Sequence, residues 1–146
     1  MKRVFADTNF FVAIVNQRDE LHEKAKRIDQ SLSATRYITT DEVLVEFVTF
    51  FSARGSGMRK RAVSVAREIL GNPNIQVLPQ TRNSFLSGLE LYDQRPDKGY
   101  SLTDCISMQT MEGQDLREVL TNDHHFEQEG FTILLPREET DGGERK

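Results

Sequence analysis

Short apolar runs alternate along this chain with longer stretches in which apolar residues recur every three or four positions, and that alternation predicts strands and helices in turn. Five runs read as strands: Val4 to Ala6, Tyr37 to Thr40, Ile75 to Leu78, Arg117 to Thr121 and Thr132 to Leu135. Between the first two lie a short helix over Phe10 to Val15 and a second whose Leu21, Ala25, Ile28 and Leu32 form one amphipathic face. Val43, Leu44, Phe47, Val48 and Phe51 repeat likewise after the second strand, up to the flexible Gly55-Ser56-Gly57. Ala62, Val63, Ala66, Ile69 and Leu70 give the next helical face, closed by Gly71-Asn72-Pro73 in the Gly-then-Pro order of a helix end. A helix from about Arg82 to Gln94 and a last long one from Leu102 to Met111 flank the loop Arg95 to Gly99.

Strands separated by helices make βαβ units, so the expected fold class is α/β, a three-layer α/β/α sandwich on a mainly parallel five-stranded sheet. One domain over residues 1–136 is expected, followed by a polar tail, 137–146, that should fray. In such a sheet the C-terminal ends of strands and the N-termini of helices gather at one edge, where ligands bind.

Four acids fall at that edge. Asp7 ends the first strand, Asp123 follows the fourth, Glu46 lies in the first turns of the helix after Thr40, and Asp104 opens another helix. Each has a structural reading when taken alone. Asp7 can cap the helix after Asn9, Asp123 the one containing His124 to Gln128, and Ser101-Leu102-Thr103-Asp104 resembles a capping box. Taken together they carry a cost, because two unit charges about 4 Å apart repel by roughly 4 kcal/mol at an effective dielectric near 20. A cation removes it. Oxygen donors without a Cys or His cluster suit Mg²⁺ or Mn²⁺ rather than zinc, and such ions assist phosphodiester hydrolysis. The second position is the least determined, since Asp41, Glu42 and Glu46 all lie near one helix start. Glu46 flanks the apolar stripe whereas Glu42 points further from it, and Asp41 is read as the cap, with Thr40 the alternative.

Other candidates carry less chemistry. His22-Glu23 does not begin an HExxH motif, because Lys26 occupies the place of the second His. His124 and His125 lack the spacing of a metal pair and are read as orienting locally or facing solvent. Cys105 has no evident activating base and reads as a buried thiol. No Gly-rich phosphate loop occurs.

Composition adds limits. The longest apolar stretch, Phe10 to Val15, is far too short for a membrane span, and no signal-peptide core or second cysteine is present, which together suggest a cytoplasmic protein. A formal charge of −4 runs against phosphate binding, although bound cations would locally reverse that field. Arg54, Arg59, Lys60, Arg61 and Arg67 form a basic cluster with two readings, a solvated helix face or a surface toward substrate.

With these residues in place, the chain resembles the PIN-domain family, most of all VapC-type ribonuclease toxins of toxin-antitoxin systems. The stretches that carry the resemblance are Val4 to Asn9, Thr39 to Glu46, Tyr100 to Ile106 and Val119 to Phe126, closing on Gly130-Phe131. It implies a metal-dependent endoribonuclease acting on single-stranded or structured RNA, with one or two Mg²⁺ or Mn²⁺ ions on Asp7, Glu46, Asp104 and Asp123. Thr8, Asn9, Ser101, Thr121 and Asn122 are the implied supports behind those ligands. A homodimer and a small antitoxin that crosses the active site are implied by the same analogy. A PIN-like module that binds RNA or protein without cutting, or a housekeeping RNA-processing nuclease, remains an alternative. A phosphoacceptor receiver domain would need paired acids at the first strand and a lysine after the last, where Asp7 stands alone and Arg137 follows Pro136. A haloacid-type phosphatase would need an acid where Asn9 stands.

Overall fold

A computed structural model describes residues 1–136; the tail expected from 137 to 146 lies outside them. Twelve elements follow the predicted alternation: β1 (Arg3–Ala6), α1 (Thr8–Val15), α2 (His22–Ser31), β2 (Arg36–Thr40), α3 (Asp41–Phe50), α4 (Ser56–Gly71), β3 (Ile75–Leu78), α5 (Arg82–Gln94), α6 (Leu102–Gly113), β4 (Glu118–Leu120), α7 (His125–Gln128) and β5 (Thr132–Ile133). Every strand pairing is parallel, in the order β3-β2-β1-β4-β5. The fold is α/β, on an all-parallel five-stranded sheet.

The strand order explains the site. The chain steps outward from β1 to β2 to β3, then returns to the far side of β1 to lay down β4 and β5. Right-handed crossovers therefore place the connections α1–α4 and α5–α7 on opposite faces, and the order reverses between β1 and β4. Phe5 and Ala6 of β1 pair with Val119 and Leu120 of β4 at that reversal. Both faces of the central strands are covered: Val4, Phe5, Ala6, Ile38, Val119 and Leu120 are fully buried, as unbroken apolar runs in a parallel sheet require.

Local chemistry sets the boundaries. Thr40 caps α3 by accepting the Val43 N–H at 3.1 Å, so the cap is Thr40 rather than Asp41, whose carboxylate instead accepts the Gln80 N–H at 2.9 Å. β4 and β5 are shorter than the apolar runs that predict them. The Leu134 and Leu135 N–H groups nevertheless still donate to the carbonyls of Val119 and Thr121, so the chain keeps β4 company beyond the regular strand. Among the described residues no helix is long and apolar enough to cross a membrane.

Candidate metal centre

Asp7 emerges where β1 stops. Its N–H donates to the Leu120 carbonyl of β4, and its side chain, 5% exposed, makes no capping bond to α1. Asp7 thus stands at the N-cap position of α1 without capping it through a side-chain hydrogen bond. Its Oδ2 instead accepts the Thr121 hydroxyl at 2.9 Å. Burial pushes its pKa from 3.8 up to about 7; the charges of Asp104 and Glu46 add to the rise, against the Thr8 N–H and the Thr121 hydroxyl.

Asp104 is both a cap and a member of the cluster. Ser101 Oγ accepts the Asp104 N–H at 3.0 Å and the Asp104 carboxylate accepts the Ser101 N–H at 3.1 Å, the predicted capping box. Burial raises its pKa, and the charges of Asp123 and Glu46 raise it further. Asp123 Oδ1 accepts the His125 N–H at 2.9 Å, which starts the short α7. Glu46, half-buried on α3, accepts the Thr8 hydroxyl at 2.5 Å and so reaches across to the start of α1. Asp104 and Asp123 offer donor atoms within 4.8 Å of each other, Thr8 links Glu46 to the end of β1 where Asp7 stands, and the charges of Asp104 and Glu46 are felt at Asp7. Among the described residues no lysine or arginine lies within ion-pair distance of any of them.

The supporting residues are also there. Thr8 and Thr121 each hold one carboxylate, Ser101 holds Asp104, and Asn9 Nδ2 donates to Asn122 Oδ1 at 2.8 Å, joining the start of α1 to the turn after β4. Two polar atoms here are buried without a hydrogen-bond partner, Asn9 Oδ1 and His125 Nδ1. Partly buried carboxylate oxygens with no lysine or arginine of the described residues in ion-pair reach fit a hard divalent ion.

Sequence reasoning missed two things. His125 orients locally, as one of its two readings has it, but it also meets a distant acid: its Nδ1 lies 3.2 Å from Asp123 Oδ1 and 3.7 Å from Asp104 Oδ2, and the three side chains offer donor atoms within 4.8 Å of one another. Its neighbour His124 is exposed. The signal available was the single turn of helix after Asp123, which returns the second residue of a pair toward the acid. Glu42 also departs from its helical-wheel position, being buried, with the Ser84 hydroxyl of α5 donating to it at 2.9 Å. His22, expected on a helix surface, is instead half-buried, its Nδ1 2.7 Å from the Ala13 carbonyl of α1, whereas Cys105 is the expected buried thiol, pushed up to about 11 by burial.

The basic cluster splits across the two flanks of α4. Arg59, Lys60 and Arg67 line a groove with Val48, Thr49 and Val63, whereas Arg54 and Arg61 line another with Arg18, Phe51 and Met58. None of the four acids lines either groove. Arg54 stacks on the Phe50 ring at 4.0 Å.

A profile of the PIN domain matches residues 4–131, from β1 through the turn that precedes β5. The chain belongs to the PIN domain family. Among solved structures, this PIN domain is similar to Mycobacterium tuberculosis VapC20, a sarcin-ricin loop cleaving toxin, with 26% identity and a TM-score of 0.81 over 91% of this chain and 99% of that one. It shares the fold of VapBC2 from Rickettsia felis, solved bound to a DNA fragment from its promoter, at 14% identity and a TM-score of 0.66 over 90% of this chain and 96% of that one. No curated protein matches it.

Proposed function

We propose that this PIN domain is a divalent-metal-dependent endoribonuclease of the VapC type and the toxin of a toxin-antitoxin pair. The observation that carries this reading is the convergence of Asp7, Glu46, Asp104 and Asp123 at the reversal of strand order, with no lysine or arginine among the described residues in ion-pair reach of them. The likeness to a toxin that cleaves the sarcin-ricin loop supports RNA as the substrate, single-stranded or presented in a loop.

In this reading Asp7, Glu46, Asp104 and Asp123 hold one or two Mg²⁺ or Mn²⁺ ions. When bound, such an ion lowers the pKa of a water and offsets the charge that develops on the phosphodiester during in-line attack. The chain's own residues prepare the site. Thr121 and Thr8 each occupy one lone pair of Asp7 and Glu46, which fixes those carboxylates and leaves their remaining oxygens available. Asp7, with its pKa near 7, accepts a proton from solvent in the ion-free protein and gives it up when an ion binds. The Asn9–Asn122 bridge keeps the ends of β1 and β4 at one spacing.

Cleavage of RNA by the purified protein tests the reading. Activity should require Mg²⁺ or Mn²⁺ and leave a 5′-phosphate and a 3′-hydroxyl. Equal cleavage in excess chelator, or a cyclic phosphate product, would refute the metal route. As the toxin of a pair, the protein should arrest growth when expressed alone and be silenced by the product of an adjacent short gene. Dimerisation in solution is part of the same proposal.

A further inference from the structure

We infer that His125 is a nitrogen ligand of the metal centre, so that the ion at Asp104 and Asp123 sits on a mixed nitrogen and oxygen site that favours Mn²⁺ over Mg²⁺. The inference rests on the metal-dependent reading above and deepens it. Three observations converge. His125 Nδ1 is buried and makes no hydrogen bond, although Asp123 Oδ1 is 3.2 Å away and Asp104 Oδ2 3.7 Å away. When Nδ1 carries a lone pair rather than a proton, that lone pair is repelled by the two carboxylate oxygens, and a cation among the three donors turns the repulsion into coordination. Donors about 2.1 Å from one ion, at angles of about 90–110°, stand roughly 3.0–3.5 Å apart, which is the spacing of Nδ1 and Asp123 Oδ1, with Asp104 at a somewhat wider angle.

The ring is also held in place. Tyr100, buried, meets the His125 ring edge-on at 5.4 Å. Its hydroxyl donates to Glu129 at 2.9 Å, and Arg95 grips the same carboxylate with two bonds of 3.0 and 2.8 Å. The backbone N–H of His125 is tied to Asp123. A ring fixed at both ends suits a ligand more than a solvated surface histidine. Imidazole donors raise affinity for Mn²⁺ and later first-row ions relative to Mg²⁺, which prefers oxygen.

The test is pulsed electron paramagnetic resonance on the full chain loaded with Mn²⁺, with competition by Mg²⁺ measured alongside. Wild type should show the strong ¹⁴N modulation of a directly bound imidazole. His125→Gln should abolish it while still binding Mn²⁺, with the preference for Mn²⁺ over Mg²⁺ falling about tenfold. His124→Gln should keep both signal and preference. Bound Mn²⁺ without nitrogen modulation in wild type overturns this inference and leaves the carboxylate site standing, with His125 then an ion-pair partner of the two acids. Modulation that survives His125→Gln overturns it equally. Absence of any tightly bound Mn²⁺ overturns both the inference and the metal-dependent reading.

Discussion

Glu129 and Asp7 are both acids largely withdrawn from solvent, and their surroundings move them in opposite directions. Glu129 receives two bonds from Arg95 and one from the Tyr100 hydroxyl, and the Arg95 guanidinium holds its carboxyl below the usual range despite burial. Asp7 receives only a hydroxyl and a backbone N–H, sits among other acids, and is pushed up to about 7. Where an acid serves the fold, this chain supplies the cation from itself. At the strand edge none of the described residues supplies one, and in the proposed function a bound ion takes that place.

The largest effect should come from altering an acid of the unbalanced set. Asp104→Asn preserves the capping box, because Asn also caps, yet it should lower RNA cleavage by about a hundredfold or more, since even partners behind a metal ligand are typically worth 10–100-fold. Glu46→Gln should behave likewise. Glu42→Gln, whose carboxylate is turned toward Ser84 of α5, should change cleavage by no more than a few-fold. The reverse ranking of Glu42 and Glu46 would move the metal centre one turn toward the start of α3.

A pH series sharpens the same contrast. Asp7 has a folded pKa near 7 against 3.8 for the unconstrained group, so between those values the folded state binds the extra proton. Its contribution to stability is fully present below about pH 4 and is lost as pH rises through 7, a change on the order of 4 kcal/mol. In chelator, the Tm of wild type should therefore fall from pH 5 to pH 8 by more than that of Asp7→Asn. Equal slopes would show that Asp7 titrates as an ordinary surface acid.

The fold was legible because each strand was a short apolar run bounded by turn residues and each long helix kept one apolar face. The positions of the four proposed ligands at one sheet edge were legible, since Asp7 follows β1 directly and Asp123 stands three residues after the end of β4. What stayed hidden depended on packing between elements distant in sequence. Glu42 is buried where the Ser84 hydroxyl at the start of α5 reaches it, and no periodicity within α3 encodes that neighbour. His125 turns inward because α7 is a single turn held by Asp123, too short to show a helical period. Thr40 rather than Asp41 caps α3 because the Gln80 N–H after β3 claims the Asp41 carboxylate. The ends of β4 and β5 were misplaced for a related reason: edge hydrogen bonds persist past Ile133 where the strand geometry does not.

A smaller effect belongs to the balanced region. Tyr100→Phe removes one hydrogen bond to the Glu129 carboxylate, worth about 1.5 kcal/mol, and should lower Tm by roughly 3–6 °C in chelator and in metal alike. A Tm loss confined to the metal-loaded protein would mean that Tyr100 acts through the metal centre and not through the fold.

The central claim, that Asp7, Glu46, Asp104 and Asp123 share one cation site, is tested most directly by melting curves of wild type and Asp123→Asn, each in chelator and in millimolar Mg²⁺ or Mn²⁺. Asn at this position can still accept the His125 N–H, so a purely structural Asp123 predicts little change in either condition. A shared site predicts that wild type gains several degrees on addition of the ion, that the variant is at least as stable as wild type in chelator because repulsion is relieved, and that it gains less from the ion. A wild type indifferent to both ions, with a variant no more stable in chelator, would contradict the account.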